Sequence, residues 1–142
     1  MNKKVILKKV ENFVKKELSG EGSGHDWWHV NRVRILALRI GEKEGADPFI
    51  VQISALLHDV GDFKLHGGDE SVGPRIIAKK LKKFGADDAT IAHVVDIVNS
   101  ISFKGAGVTY KHKTPESRVV QDADKLDAIG AIGIGRAFAF GG

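Results

Sequence analysis

The chain has 142 residues and carries 22 Lys and Arg against 18 Asp and Glu, which gives a formal net charge of +4 at pH 7. Hydrophobic residues make up 42% and charged residues 28%, a composition that excludes a disordered or fibrous chain. No apolar stretch approaches the roughly 18 residues of a membrane-spanning helix, and the N-terminus lacks a continuous signal-peptide core. We therefore expect one cytoplasmic domain over residues 1–142 that does not enter a membrane.

The basic residues are spread along the chain, and their one local cluster, at positions 79–83, falls on a predicted helix face. This distribution is typical of a solvated surface, so we do not expect a nucleic-acid partner. The chain contains no cysteine. A bound metal ion would therefore need histidine and carboxylate ligands.

Hydrophobic periodicity predicts three helices in the first part of the chain. The first covers residues 3–18 and ends in a glycine-containing loop. The second runs from about 26 to 44, with Gly45 as its C-terminal stop. Asp47 and Pro48 form an N-cap and first-turn proline for the third, which runs to about residue 59 and is deeply buried.

Three further helices are expected after residue 68. One covers about 70–84 and ends at Gly85, and the next is capped by Asp87 or Asp88. The last begins at Thr114 and Pro115 and passes through Leu126. Because no alternating pattern extends beyond a short piece at 108–110, the sequence predicts an all-α bundle.

Histidine and aspartate interrupt three of these apolar helix faces. His29 falls on the buried side of the second helix, and the pair His58 and Asp59 ends the apolar run of the third. Asp124 lies beside core positions of the sixth helix. An acid beside a core needs a cation or a proton, because a buried unpaired carboxylate costs several kcal/mol. Two imidazoles and two carboxylates from three helices would satisfy one divalent metal ion of the Mn²⁺ or Fe²⁺ type.

The order of these residues resembles the HD-domain metal-dependent phosphohydrolase superfamily, whose signature is a His, an adjacent His-Asp pair and a distant Asp. The segments at 24–30, 55–60 and 121–130 are similar to a bacterial subgroup of small HD hydrolases, and the resemblance covers nearly the whole chain. It implies a compact HD-domain helical bundle and hydrolysis of phosphate esters or anhydrides, commonly of nucleotides. For the subgroup it further implies nucleoside triphosphate pyrophosphohydrolase activity.

The resemblance implies that His29, His58, Asp59 and Asp124 hold one divalent metal ion. Mn²⁺ is the leading candidate, with Mg, Fe, Co, Ni and Zn as alternatives. A water activated by the metal would then attack the phosphorus of a nucleotide substrate.

Two further residues are candidates for catalysis. Asp62 lies three residues after Asp59, where related HD hydrolases often carry an acid that orients or deprotonates water; the alternative is a loop-capping acid. Lys125 follows Asp124 and is the first choice for contacting phosphate, ahead of Lys64 and Arg32; the alternative is that each is a surface cation.

Neighbouring acids and histidines have other expected roles. Asp122 points roughly 200° away from Asp124 around the axis of a helix. Asp127 either contacts a metal ligand without binding the metal itself or lies on the surface. Asp26 is expected to cap the second helix, and His25 to be a surface or entrance residue.

Two other functions compete with hydrolysis. The fold could serve as a nucleotide-sensing module without turnover, or it could carry an iron oxygenase site, which needs more histidine ligands than can be assigned to this site. The apolar C-terminal segment allows two interpretations. Either a second subunit covers it in a homodimer, or the chain lacks C-terminal helices present in relatives.

Overall fold

A computed structural model describes residues 1–20, 22, 24–61, 69, 71–101 and 112–141. In this part of the chain the structure is all-α, with seven helices and no strand. The helices are α1 Lys3–Glu17, α2 Trp27–Glu44, α3 Pro48–Leu57, α4 Val72–Phe84, α5 Asp88–Ile101, α6 Pro115–Asp127 and α7 Gly130–Gly141. None of these helices is both long and apolar enough to span a membrane. The all-α prediction is confirmed, while the predicted strand at 108–110 lies outside the described residues.

Capping residues at the helix ends set the predicted boundaries. Asp47 caps α3 through hydrogen bonds from the N–H groups of Phe49 and Ile50, and Pro48 occupies the first turn as expected. Gly45 ends α2 with a left-handed backbone at φ +68°. Helix α3 ends at Leu57, two residues before the predicted end, so that His58 and Asp59 lie in a turn.

Helix α3 lies at the centre of the bundle, and eight of its ten residues are buried. One side contributes Ile53 and Leu56 to a core shared with α1, α4 and α5. The other side contributes Val51 and Ala55 to a second core shared with α2 and α6. The C-terminal end of α3 therefore lies between α2 and α6, the elements that carry the other chemically interesting residues.

Helix α7 was not predicted from the sequence. Gly130, Gly133 and Gly135 lie within it, and glycine disfavours helix by about 1 kcal/mol relative to alanine. The helix has no buried residue, and Phe138 is 77% exposed. Its formation therefore does not follow from the burial pattern that identified the other six helices.

Candidate metal centre

His29 is positioned by the first turn of α2. The Asp26 carboxylate accepts a hydrogen bond from the backbone N–H of His29 at 2.9 Å, which confirms the predicted N-cap. Val30 and Val33 face the core on the same helix, and His29 shares that face and is fully buried. A buried imidazole requires hydrogen-bond partners for both ring nitrogens or a cation at one of them.

His58 and Asp59 follow the last turn of α3. The Nδ1 of His58 donates to the backbone carbonyl of Ala55 at 2.7 Å, which fixes the orientation of the ring. The chain leaves this turn through Gly61, whose φ of +71° is unfavourable for any residue with a Cβ. Both functional side chains are mostly buried, with 4% of His58 and 13% of Asp59 exposed.

Asp124 lies in the C-terminal half of α6. This helix is held at its start by Thr114, whose hydroxyl caps Ser117, and by the buried Glu116, which accepts a hydrogen bond from the backbone N–H of Asp47. Helix α6 packs against α2, and Asp124 contacts His29 in the first turn of that helix. Its side chain is 34% exposed, which places it at the solvent side of the cluster.

The structure brings together all four predicted ligands. His29 Nε2 lies 3.2 Å from His58 Nε2, 3.2 Å from Asp124 Oδ1 and 3.4 Å from Asp59 Oδ2. His58 Nε2 lies 3.4 Å from an oxygen of each of the two carboxylates. Two nitrogens and two carboxylates therefore surround one point.

The donor chemistry of this cluster fits a divalent metal ion. A backbone carbonyl only accepts, so the proton of neutral His58 is on Nδ1, and its Nε2 carries a lone pair. The same holds for His29, whose Nδ1 lies 2.7 Å from the Asp127 carboxylate. Two lone pairs that face each other at 3.2 Å repel unless a metal ion or a proton lies between them. The charges of Asp59 and Asp124 balance such a cation.

The electrostatics of the cluster favour positive charge at its centre. Burial alone would lower the pKa of His58, but the charges of Asp59 and Asp124 outweigh it and raise that pKa to about 10. Burial would raise the pKa of Asp124, yet His58 and His29 hold it well below its usual range. The carboxylates therefore stay ionised and available to a cation near neutral pH.

The structure describes one of the two predicted catalytic residues, Lys125. Asp62 and the alternative phosphate contact Lys64 lie outside the described residues. Lys125 is exposed on α6, and its Nζ donates to the side-chain oxygen of Gln121 at 3.3 Å. Arg32 is engaged with Asp127 through two hydrogen bonds.

Sequence reasoning missed a contact made by His25. This residue, expected at the surface or entrance, is 37% exposed, and its Nδ1 donates to Asp59 Oδ2 at 3.0 Å. Together with His29 and Asp59 it forms a second group of ligand-type atoms that lie close together. The sequence contained a signal for this contact. His25 immediately precedes the N-cap Asp26, so it lies at the same end of α2 as His29.

Comparison with known proteins gives the family. The HD domain family model matches residues 27–129. YpgQ of Bacillus subtilis is 44% identical over 136 residues, which cover 94% of this chain and 65% of YpgQ. The crystal structure of Bacillus subtilis YpgQ in complex with ADP superposes with a TM-score of 0.74 and 40% identity, covering 94% of this chain and 66% of that one.

An HD-superfamily hydrolase from Bacillus thuringiensis is also similar. Its structure superposes with a TM-score of 0.76 and 37% identity, covering 99% of this chain and 66% of that one. The chain thus belongs to the HD domain family and has the fold of HD-superfamily hydrolases. It spans slightly less than two thirds of the length of these relatives.

Proposed function

We propose that the protein is a metal-dependent phosphohydrolase that acts on nucleotides. The observation that carries the proposal is the convergence of two imidazole Nε2 atoms and two carboxylates at separations of 3.2–3.4 Å. The family supports hydrolysis, and the complex of YpgQ with ADP supports a nucleotide as the ligand. The finer proposal is cleavage of a nucleoside triphosphate with release of pyrophosphate.

The proposed ligands are His29, His58, Asp59 and Asp124. A divalent ion bound by them, Mn²⁺ in our proposal, supplies a Lewis acid that activates water and polarises a phosphoryl oxygen. The buried histidines fix the position of the ion, since each ring is held through its Nδ1. Asp124 is the most exposed member of the set, so the substrate approaches from its side.

Asp62 and Lys125 are proposed to act on the water and the phosphate. Asp62 orients the nucleophilic water and takes its proton. Lys125 is adjacent to Asp124 and exposed, so its ammonium group can neutralise charge on a phosphate bound at the cluster. Its Nζ donates a hydrogen bond to the side-chain oxygen of Gln121, one helical turn earlier on α6.

Product analysis tests this function. Metal-stripped protein is re-supplied singly with Mn²⁺, Mg²⁺, Co²⁺ or Zn²⁺ and is offered nucleoside mono-, di- and triphosphates. Phosphate and pyrophosphate are counted separately. We expect pyrophosphate and a nucleoside monophosphate from triphosphates, with Mn²⁺ the most effective ion.

Other products would change the assignment. Phosphate from nucleoside monophosphates would identify a nucleotidase. Thermal stabilisation by nucleotides without any product, with every metal supplied, would contradict hydrolysis and favour the sensing module.

A further inference from the structure

Asp127 lies directly behind the proposed metal centre. It is the last residue of α6, one turn after Asp124, and its side chain is only 8% exposed. Its Oδ2 lies 2.7 Å from Nδ1 of His29, on the side of the ring opposite to the proposed ligand atom Nε2. Asp127 therefore contacts the centre through His29.

This contact determines which nitrogen of His29 carries the proton. A neutral imidazole has one N–H and one lone pair, and either nitrogen can hold the proton. An ionised carboxylate accepts hydrogen bonds only, so the proton must be on Nδ1 when that atom contacts Asp127. The lone pair is then on Nε2, which faces His58 and Asp124. His58 obtains the same arrangement from a backbone carbonyl, whereas His29 obtains it from a side chain that can be changed.

Two arginines hold the Asp127 carboxylate in place. Arg32 donates from Nε to Oδ1 at 2.8 Å and from Nη2 to Oδ2 at 3.1 Å. Arg136 donates from Nη1 to Oδ2 at 3.0 Å. Such charge-assisted bonds from a planar guanidinium fix both the position and the plane of a carboxylate. Both oxygens of Asp127 accept hydrogen bonds from these guanidinium groups, so the carboxylate is an acceptor toward Nδ1 of His29 as well.

Arg136 connects α7 to this arrangement. Its Nε donates to the backbone carbonyl of Gly24 at 2.9 Å, in the loop that leads to His25. Gly24 has φ +88°, a backbone conformation that favours glycine, and a Cβ there would lie 3.0 Å from Cγ of Arg136. Helix α7 has no buried residue, which makes this polar contact a principal link between that helix and the site.

We propose that Asp127 is the positioning residue for His29 and that Arg32 and Arg136 orient it. Helix α6 then contributes both a proposed ligand, Asp124, and the group that prepares His29 to bind metal, and α7 contributes Arg136. This inference rests on the proposed metal centre. The competing view is that the three charged residues form an ion-pair cluster that only joins α2, α6 and α7.

Metal affinity separates the two views. We expect Asp127→Asn, which keeps the size of the side chain, to raise the dissociation constant of Mn²⁺ about 10–100-fold, the usual effect of losing a carboxylate behind a histidine ligand. The constant is measured by calorimetry on the whole chain at one pH, and unfolding by urea is followed in parallel. Asp122→Asn is the matched control, because Asp122 is exposed on the same helix. We expect this control to bind Mn²⁺ as the wild type does.

A second measurement does not depend on the stability of a variant. Long-range ¹H–¹⁵N correlation NMR of the wild-type protein loaded with Zn²⁺ identifies the protonated ring nitrogen of each histidine. We expect the His29 proton on Nδ1. A proton on Nε2 of His29 in the metal-loaded protein would overturn the inference.

The outcomes also separate this inference from the proposed function. Wild-type protein that binds no divalent ion would overturn both. Wild-type binding together with unchanged Mn²⁺ affinity in Asp127→Asn would overturn the positioning role alone, and a loss of stability in that case would identify the ion-pair cluster as structural.

Discussion

Replacing Asp59 with alanine is expected to abolish metal binding and turnover together. Asp59 supplies one of two carboxylates at the proposed centre, and its oxygens lie 3.4 Å from the Nε2 atoms of both His29 and His58. Its removal takes away a ligand and half of the negative charge that balances a divalent ion. The loss of Mn²⁺ affinity should exceed the ~10–100-fold loss that follows when a residue that only orients a metal ligand is removed. Calorimetry with Mn²⁺ and a product assay on the same preparation measure both effects.

Asp62→Asn is the matched comparison for this variant. It leaves all four proposed ligands in place and changes only the group proposed to act on water. We expect it to bind Mn²⁺ with wild-type affinity and to lose rate. Hydrolysis at the wild-type rate by Asp59→Ala would contradict the proposed centre, and weakened Mn²⁺ binding by Asp62→Asn would contradict the division of roles.

The second large effect is expected from Gly61→Ala, in the turn that carries His58 and Asp59. A non-glycine residue at φ +71° costs about 1–2 kcal/mol. A Cβ at this position would also lie 2.7 Å from Cα of Gly73 in α4, so backbone must move, at a typical cost of about 1–3 kcal/mol. We expect the free energy of unfolding of the metal-free protein to fall by about 2–5 kcal/mol in denaturant titrations. Because α4 holds the turn in place, Mn²⁺ affinity should fall as well.

Gly45→Ala provides the control for backbone strain. Gly45 has a similar φ of +68°, but among the described residues no heavy atom lies within 4 Å of the position that its Cβ would take. This variant should therefore lose only the ~1–2 kcal/mol of the left-handed conformation and should keep its metal affinity. Equal losses of stability in the two variants would show that the approach of Gly61 to Gly73 has no energetic consequence.

Much of the fold could be predicted because caps and periodicity agree. Asp26, Asp47 and Thr114 each precede an apolar repeat, and each caps the helix that the repeat predicts. The four residues 29, 58, 59 and 124 stood out because polar groups at core positions need compensation. The structure places them together at the junction of α2, α3 and α6.

The remaining features depend on packing between distant elements. The contact of His25 with Asp59 requires the loop before α2 to fold over the end of α3, a separation of 34 residues that no local pattern encodes. For Asp127, the sequence left two roles open, and only the packing of α2 against α6 shows that it meets His29 and Arg32. Helix α7 was missed because its glycines oppose helix formation and it has no buried face.

Stoichiometric reactivation tests whether a single divalent ion at this His/Asp cluster supports nucleotide hydrolysis. Wild-type protein stripped of metal is titrated with Mn²⁺ in the presence of a nucleoside triphosphate, and turnover is plotted against bound metal. We predict no turnover in the stripped protein and a linear rise that ends at one ion per chain. Full turnover by the stripped protein, or none after the cluster is saturated, would contradict a role of this ion in hydrolysis.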